Sequence, residues 1–421
     1  MRVKKWMAAV AGVGLGMAGL AACGDSGAPA DPKGGVPSIA TMKGDPIVIG
    51  SICSCTGAQA AILGKSTTGI AAWVNEVNSN GGLNGHPVKL ITKDDGADPA
   101  KSLQAVKELV EKDKVVAIVG MTTTVDAAWA SYVSEHKVPV IGGISAEASF
   151  MTNPDFFPSG ANAVLQAYGM FAAAKSAGFK KVGMLYCAET PACAQVDGLG
   201  KALSPGLGLK YDSAKFSGTA PDYNAPCLSM KQSGVDAIFL ASNPEVTERI
   251  AASCAQNSYT PQQLQMMNGV DSTMLDDPNF DNTITSGALA AYTDTGIPAI
   301  KRYQDALNAY DPGFIETPGF NPMTQFAWSG GVLFEAAAKA VNLGPTSTSA
   351  DVYKGLYALK GETLDGLTGP LTFTPGKPAF PTCYFQAQIA DKKLTDEKTP
   401  DPICLDARQL AAMGQLLAAL G

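Results

Sequence analysis

Histidine is almost absent from this 421-residue chain: His86 and His136 are the only two. His86 lies in a turn before Pro87, and His136 at a helix end beside Lys137, so both read as surface residues rather than bases. With so few imidazoles, a metal centre is not expected. Aromatic residues make up 7% and charged residues 16%. No G-x-S-x-G elbow is present, which removes support for a Ser–His hydrolase. Six residues separate Gly57 from Gly64-Lys65-Ser66 where a phosphate loop requires four. Asp277, Asn279 and Asp281 sketch a calcium loop, but Asn282 stands where glycine is needed and no glutamate closes it. A surface turn is expected there. No basic cluster follows the first few residues and the net charge is −7, so nucleic acid is not an expected partner. No cofactor is expected, and no catalysis.

What is present begins with a targeting pattern. Arg2, Lys4 and Lys5 precede an apolar run from Met7 to Leu20, which is shorter than the roughly 20 residues that span a bilayer. The run ends in Leu20-Ala21-Ala22-Cys23, small residues before a cysteine. Residues 1–22 therefore read as a lipoprotein signal, and Cys23 as the lipidated first residue of the mature chain. Gly14, Gly16 and Gly19 spell a dinucleotide fingerprint, but no strand precedes them and the match is discarded. Residues 23–45 are rich in Gly, Pro, Ala and Ser and read as a flexible tether. The expected location is extracytoplasmic, on the membrane through the lipid.

Nine cysteines include Cys23, and the even remainder in an exported chain points to disulfides. About a hundred pairings are open to eight cysteines, and proximity along the chain is the guide. It pairs Cys187 with Cys193, Cys227 with Cys254, Cys383 with Cys404, and leaves Cys53 with Cys55. Buried free thiols are the competing state.

About 380 residues remain for the folded part, enough for two domains. From Pro46 onward short apolar runs alternate with helical periods. Ile47–Ile52 reads as a buried strand and Gly64–Asn78 as a helix with Ile70, Trp73, Val74 and Val77 on one face. Strands are expected at Val88–Ile91, Val115–Val119 and Val138–Ile141, with helices over Ala100–Lys112 and Thr124–Glu135. Asp98-Pro99 is a helix start, a capping carboxylate followed by Pro at the first helical position. Repeated β–α units argue for a parallel sheet covered on both faces. The pattern then recurs: strands at Lys181–Tyr186, Leu209–Phe216, Asp236–Leu240 and Gln263–Met267 alternate with helices, the last two being Ala225–Gln232 and Pro244–Gln256. A long helix over Asn321–Val341 must return to cover the first sheet. Strands at Gly369–Phe373 and Tyr384–Ile389 and a tail helix capped by Asp406 complete the chain. The fold class is α/β, two Rossmann-like lobes with parallel central sheets. Ligands of such sheets bind outside the strand C-terminal ends, and clefts between domains are common pocket sites.

An ordered set of segments resembles the type I periplasmic binding proteins of the branched-chain amino-acid and amide-binding family. These are Ile47-Val48-Ile49-Gly50 with Thr56-Gly57 and Gly64, Trp73 to Asn78, and Gly81-Gly82-Leu83-Asn84-Gly85. Asp94-Asp95, Asp98-Pro99, Ile118-Val119-Gly120, Val138-Pro139-Val140-Ile141 and Gly366 to Leu371 follow in order. The resemblance spans Pro46 to Ile389. It implies two lobes joined by three crossings near Phe157–Asn162, Leu289–Tyr292 and Leu367–Phe373. Lobe 1 is then 46–160 plus 291–368, and lobe 2 is 161–290 plus 369–421. It also implies a monomer that closes on a small-molecule ligand and hands it to the membrane permease subunits of an ABC importer. A ligand-sensing ectodomain that signals through a partner would present the same cleft, and stays open at this point. So does a secreted enzyme, the weaker alternative.

The resemblance places the ligand against loops that follow strands. Thr123 and Thr124 match a Ser/Thr contact that receives the ligand carboxylate; plain helix capping is the competing role. Ser145 and Ala146 match a second loop, in which the family often has Thr where Ala146 stands. Gln59 and Leu63 lie in a first-strand loop that has no aromatic, which points to a ligand other than Leu, Ile or Val. In lobe 2, Ser242 and Asn243 stand where the family often has Tyr. Asp271 matches an acid that receives an ammonium, with helix capping again the alternative.

Overall fold

The computed structural model describes residues 44–189, 191–395 and 401–420. The expected signal, Cys23 and the tether through residue 43 lie outside the described residues. So does the side chain of Cys193, and with it the expected Cys187–Cys193 bridge.

Two sheets organise the described chain. The first holds β1 (Ile47–Cys53), β2 (Val88–Asp94), β3 (Ile118–Met121), β4 (Val140–Gly143) and β5 (Phe156–Phe157), all parallel, in the order β2-β1-β3-β4-β5. The second holds β6 (Lys181–Cys187), β7 (Lys210–Phe216), β8 (Ala237–Ala241), β9 (Gln262–Met266) and β10 (Ile284–Gly287). These five are mutually parallel. Beyond β10 the sheet turns antiparallel through β13 (Cys383–Ala390) and β14 (Lys393–Thr395). A small ribbon joins β11 (Lys360–Glu362) to β12 (Leu371–Thr372), and β15 (Ile403–Cys404) pairs with β13. The parallel sheet expected for the second lobe is thus mixed at one edge.

β3 and β4 are buried at every position, because helices cover both faces of the sheet. The expected long helix runs over Pro322–Ala340 and does return to the first sheet, packing on β3, β4 and the Thr67–Ser79 helix. That approach is backbone to backbone. A methyl group on Gly330 would sit 2.6 Å from Gly120 Cα and 2.8 Å from the Ile141 carbonyl oxygen. Gly120 itself takes φ +64, a conformation that costs L side chains energy.

The helix expected from Thr124 starts later. A single tight turn covers Asp126–Ala128, and the α-helix covers Ala130–Glu135. The hydroxyls before it are drawn into cross-strand bonds, described below, instead of capping a helix. The Ala100–Lys112 helix also divides, with an α segment over Pro99–Lys107 and a wider π turn over Glu108–Lys112. Asp98 caps it as its sequence requires, accepting from the Ala100 and Lys101 amides. Disulfides join Cys53 to Cys55, Cys227 to Cys254 and Cys383 to Cys404. The second of these ties together the Asn224–Ser233 and Pro244–Gln256 helices.

The two sheets exchange chain at one place. β5 ends at Phe157 and leads to Ser159–Asn162, which enters the helix that starts the second lobe. β10 ends at Gly287 and leads back through Ala288–Tyr292. Leu367 precedes the return through β12. The three passages are bonded side by side: the Ala161 amide donates to the Ala288 carbonyl at 3.2 Å, and the Ala290 amide to the Leu367 carbonyl at 3.0 Å. Gln325 Nε2 donates to the Ala290 carbonyl at 2.8 Å.

Candidate functional site

β5 and β10 both leave their sheets at the C-terminal edge and run straight into the crossings. The C-terminal edges of the two sheets therefore face each other. Strand order adds a second constraint. β1 has β2 on one side and β3 on the other, so the loops after β1 and β3 diverge. The same split occurs in the second sheet, where β6 lies between β7 and β8. Crevices form at such switch points. The loops after β1, β3 and β4 stand at the first switch point, and those after β6, β8 and β9 at the second.

At the first switch point a buried carboxylate gathers the chain. Asp95, at the end of β2, is fully buried. Its Oδ1 accepts from Ser54 Oγ and the Ala97 amide, both at 2.8 Å. Its Oδ2 accepts from Ser102 Oγ at 2.8 Å and Thr123 Oγ1 at 2.5 Å. Trp129 Nε1 donates to Ser102 Oγ at 2.9 Å. Four donors satisfy the carboxylate without a counter-ion, as hydrogen-bonded buried charge requires. Thr122 joins the neighbouring loop, its hydroxyl 2.6 Å from that of Ser66.

The expected ligand residues divide into three groups. Thr123, Ser145 and Leu63 are buried within the first lobe. The Thr123 hydroxyl is given to Asp95; that of Ser145 reaches the Ala161 carbonyl of the first crossing at 3.4 Å. Asn243 and Asp271 cap helices, accepting from the Val246 amide and from the Thr273 and Met274 amides. Thr124, Ala146, Gln59 and Ser242 are half-buried. Thr124 follows Thr123 in the loop after β3, and Ser242 stands directly after β8.

A charged residue stands beside these loops. Glu147, next to Ala146 in the loop after β4, has its carboxyl pushed up to about 7, by burial and then by the charge of Asp126. Asp126 stands in the loop after β3. It is 3% exposed, and burial raises its own pKa although Ser149 and backbone amides oppose the shift. Sequence offered one signal: across 115–134 and 138–154, Asp126 and Glu147 are the only charged residues.

With this geometry in place, the comparison with known proteins is decisive. The periplasmic binding protein family matches residues 46–393. The chain belongs to that family. It is a type I periplasmic binding protein. An "Amino acid binding protein" of Pseudomonas aeruginosa is 29% identical over 123 residues, 29% of this chain and 32% of that protein. The match thus spans about a third of that relative's length. An extracellular ligand-binding receptor from Verminephrobacter eiseniae superposes with a TM-score of 0.69 at 18% identity, covering 83% of this chain and 99% of that one. The substrate-binding protein LivJ of Streptococcus pneumoniae, in complex with isoleucine, gives 0.67 at 18%, covering 86% and 100%. A solute-binding protein of Rhodopseudomonas palustris in complex with benzoate gives 0.66 at 15%, covering 86% and 98%. These likenesses establish the fold of the binding protein. Among its described residues no helix is long and apolar enough to cross a membrane.

Proposed function

We propose that this binding protein captures a small solute between its lobes and delivers it to the permease subunits of an ABC importer. The lobes are assigned as 46–160 plus 291–368, and 161–290 plus 369–421. Cys23, lipidated after removal of residues 1–22, would hold the protein to the outer surface of the cell membrane as a monomer, with residues 24–45 as the tether. The observation that carries this reading is the hinge: three adjacent, cross-bonded passages between two sheets whose C-terminal edges face each other. Binding energy spent on closing such a hinge buries the solute without transforming it. The family consists of substrate-binding proteins rather than enzymes.

Thr124, Ala146 and Gln59 from lobe 1, with Ser242 from lobe 2, would touch the solute; all four are half-buried in loops that follow strands or, for Gln59, in the turn after β1. Thr123 and Ser145 hold the loops that present them. The Asp271 carboxylate is engaged at a helix start, so it meets the solute only across that turn. Amino acids, amides and small carboxylates are the solute classes to examine. A ligand present at 100 times its Kd adds about 2.7 kcal/mol to folding stability. A thermal-melting screen of the purified protein should therefore show a saturable rise with at least one member. A flat response across all three classes would remove the assignment.

A further inference from the structure

We infer that the solute carries net positive charge, and that Glu147, backed by Asp126, is the acidic wall that selects it. This rests on the solute-binding reading and names the chemistry of its ligand. β3 and β4 are neighbours, with Met121 opposite Gly143. Asp126 and Glu147 follow those two residues at almost equal distance along the chain, so both stand in loops that leave the C-terminal edge of the first sheet. Their loops also carry Thr124 and Ala146.

No lysine or arginine of their own segments answers them. The chain has no lysine or arginine between Lys114 and Lys137, or between Lys137 and Lys175. Among the described residues neither carboxylate takes part in an ion pair. Asp126 Oδ2 is buried and has no hydrogen-bond partner. Asp95, a few residues along the same sheet edge, shows how this lobe treats a buried carboxylate it means to keep: four donors surround it. Asp126 receives only part of that treatment. A buried carboxylate on which a second carboxylate's charge acts favours a shared proton or a cation. Glu147 is half-buried where Asp126 is sealed, so an incoming cationic group meets Glu147 first, with the second charge behind it. The described residues hold no group of three His, Cys, Asp or Glu side chains suited to a metal ion, and an ammonium, amidinium or guanidinium on the solute is the cation that fits. The anionic end of a zwitterion would be repelled from the same wall.

Calorimetric titration of the purified protein tests this with three sets of probes. Agmatine, putrescine, choline and L-arginine are cationic; L-leucine, acetamide and L-glutamine carry no net charge; benzoate and L-glutamate are anions. At least one cationic probe should bind. Glu147→Gln should weaken it tenfold or more, and Glu147→Asp by less. The melting temperature of ligand-free Glu147→Gln should stay equal or rise, which separates lost recognition from lost folding. Binding confined to neutral or anionic probes would overturn the inference and leave the transport reading intact. So would cation binding that Glu147→Gln leaves unchanged, or calcium binding at the pair with no organic cation bound. If no probe of any set binds, the solute-binding reading itself fails and takes the inference with it.

Discussion

Thr123 and Thr124 are adjacent and chemically identical, yet they hold different positions. Thr123 gives its proton to the buried Asp95 carboxylate and accepts from the Val125 amide at 3.2 Å. Thr124 is half-buried in the loop after β3. Thr123→Ala removes one donor from a buried charge and should cost about 1–3 kcal/mol of stability. Thr124→Ala should stay within about 0.5 kcal/mol of the parent but weaken solute binding. Urea unfolding and titration of the two variants, side by side, check the split. Glu147 supplies a pH dependence at the same scale. Its carboxyl, pushed up to about 7 from an ordinary 4.5, is best accommodated protonated. Its contribution is therefore favourable at low pH, and stability is lost as pH rises from about 4.5 through 7. Partial solvent access limits the loss to the order of 1–2 kcal/mol. The urea midpoint of Glu147→Gln should fall less than the parent's between pH 5 and pH 8. Parallel curves would contradict the buried pair.

The element that fixes the first lobe is the Pro322–Ala340 helix, and its seat is narrow. Gly330 lies against Gly120 and Ile141 backbone, neither of which can turn aside as a side chain would. Gly330→Ala should destabilise by about 1–3 kcal/mol or more, read as a lowered melting temperature with near-native circular dichroism. Much at this scale was legible in the sequence. The long helix, Asp98 as a cap and the alternating strands followed from period and turn chemistry. The Pro298–Tyr310 helix was not read, although Pro at its first position and Ile300, Tyr303 and Leu307 on one face announce it. β10 was also missed, for a different reason. Ile284-Thr285-Ser286-Gly287 is short and polar, and becomes a strand only because β9 and β13 pair with it on either side. The site was less legible still. The hydroxyl-rich loops do follow β3 and β4, but sequence does not reveal that Asp95, distant along the chain, claims Thr123. Nor does it reveal that the charge of Asp126 acts on Glu147.

At the scale of the whole molecule, three passages bonded to one another form a hinge, and the two switch points open across it. A hinge of this kind stores no chemistry. Its two states differ in how much of the crevice meets water, and a solute shifts the balance only by binding the closed state better. On the proposed reading, the Ala161–Ala288 and Ala290–Leu367 bonds would hold the passages together while the lobes turn. The closure proposed here would be a rigid-body movement, which small-angle scattering of the purified protein reads directly. Titration with a solute that raises the melting temperature should lower the radius of gyration saturably, in step with binding. An unchanged radius at full occupancy would contradict closure around the solute.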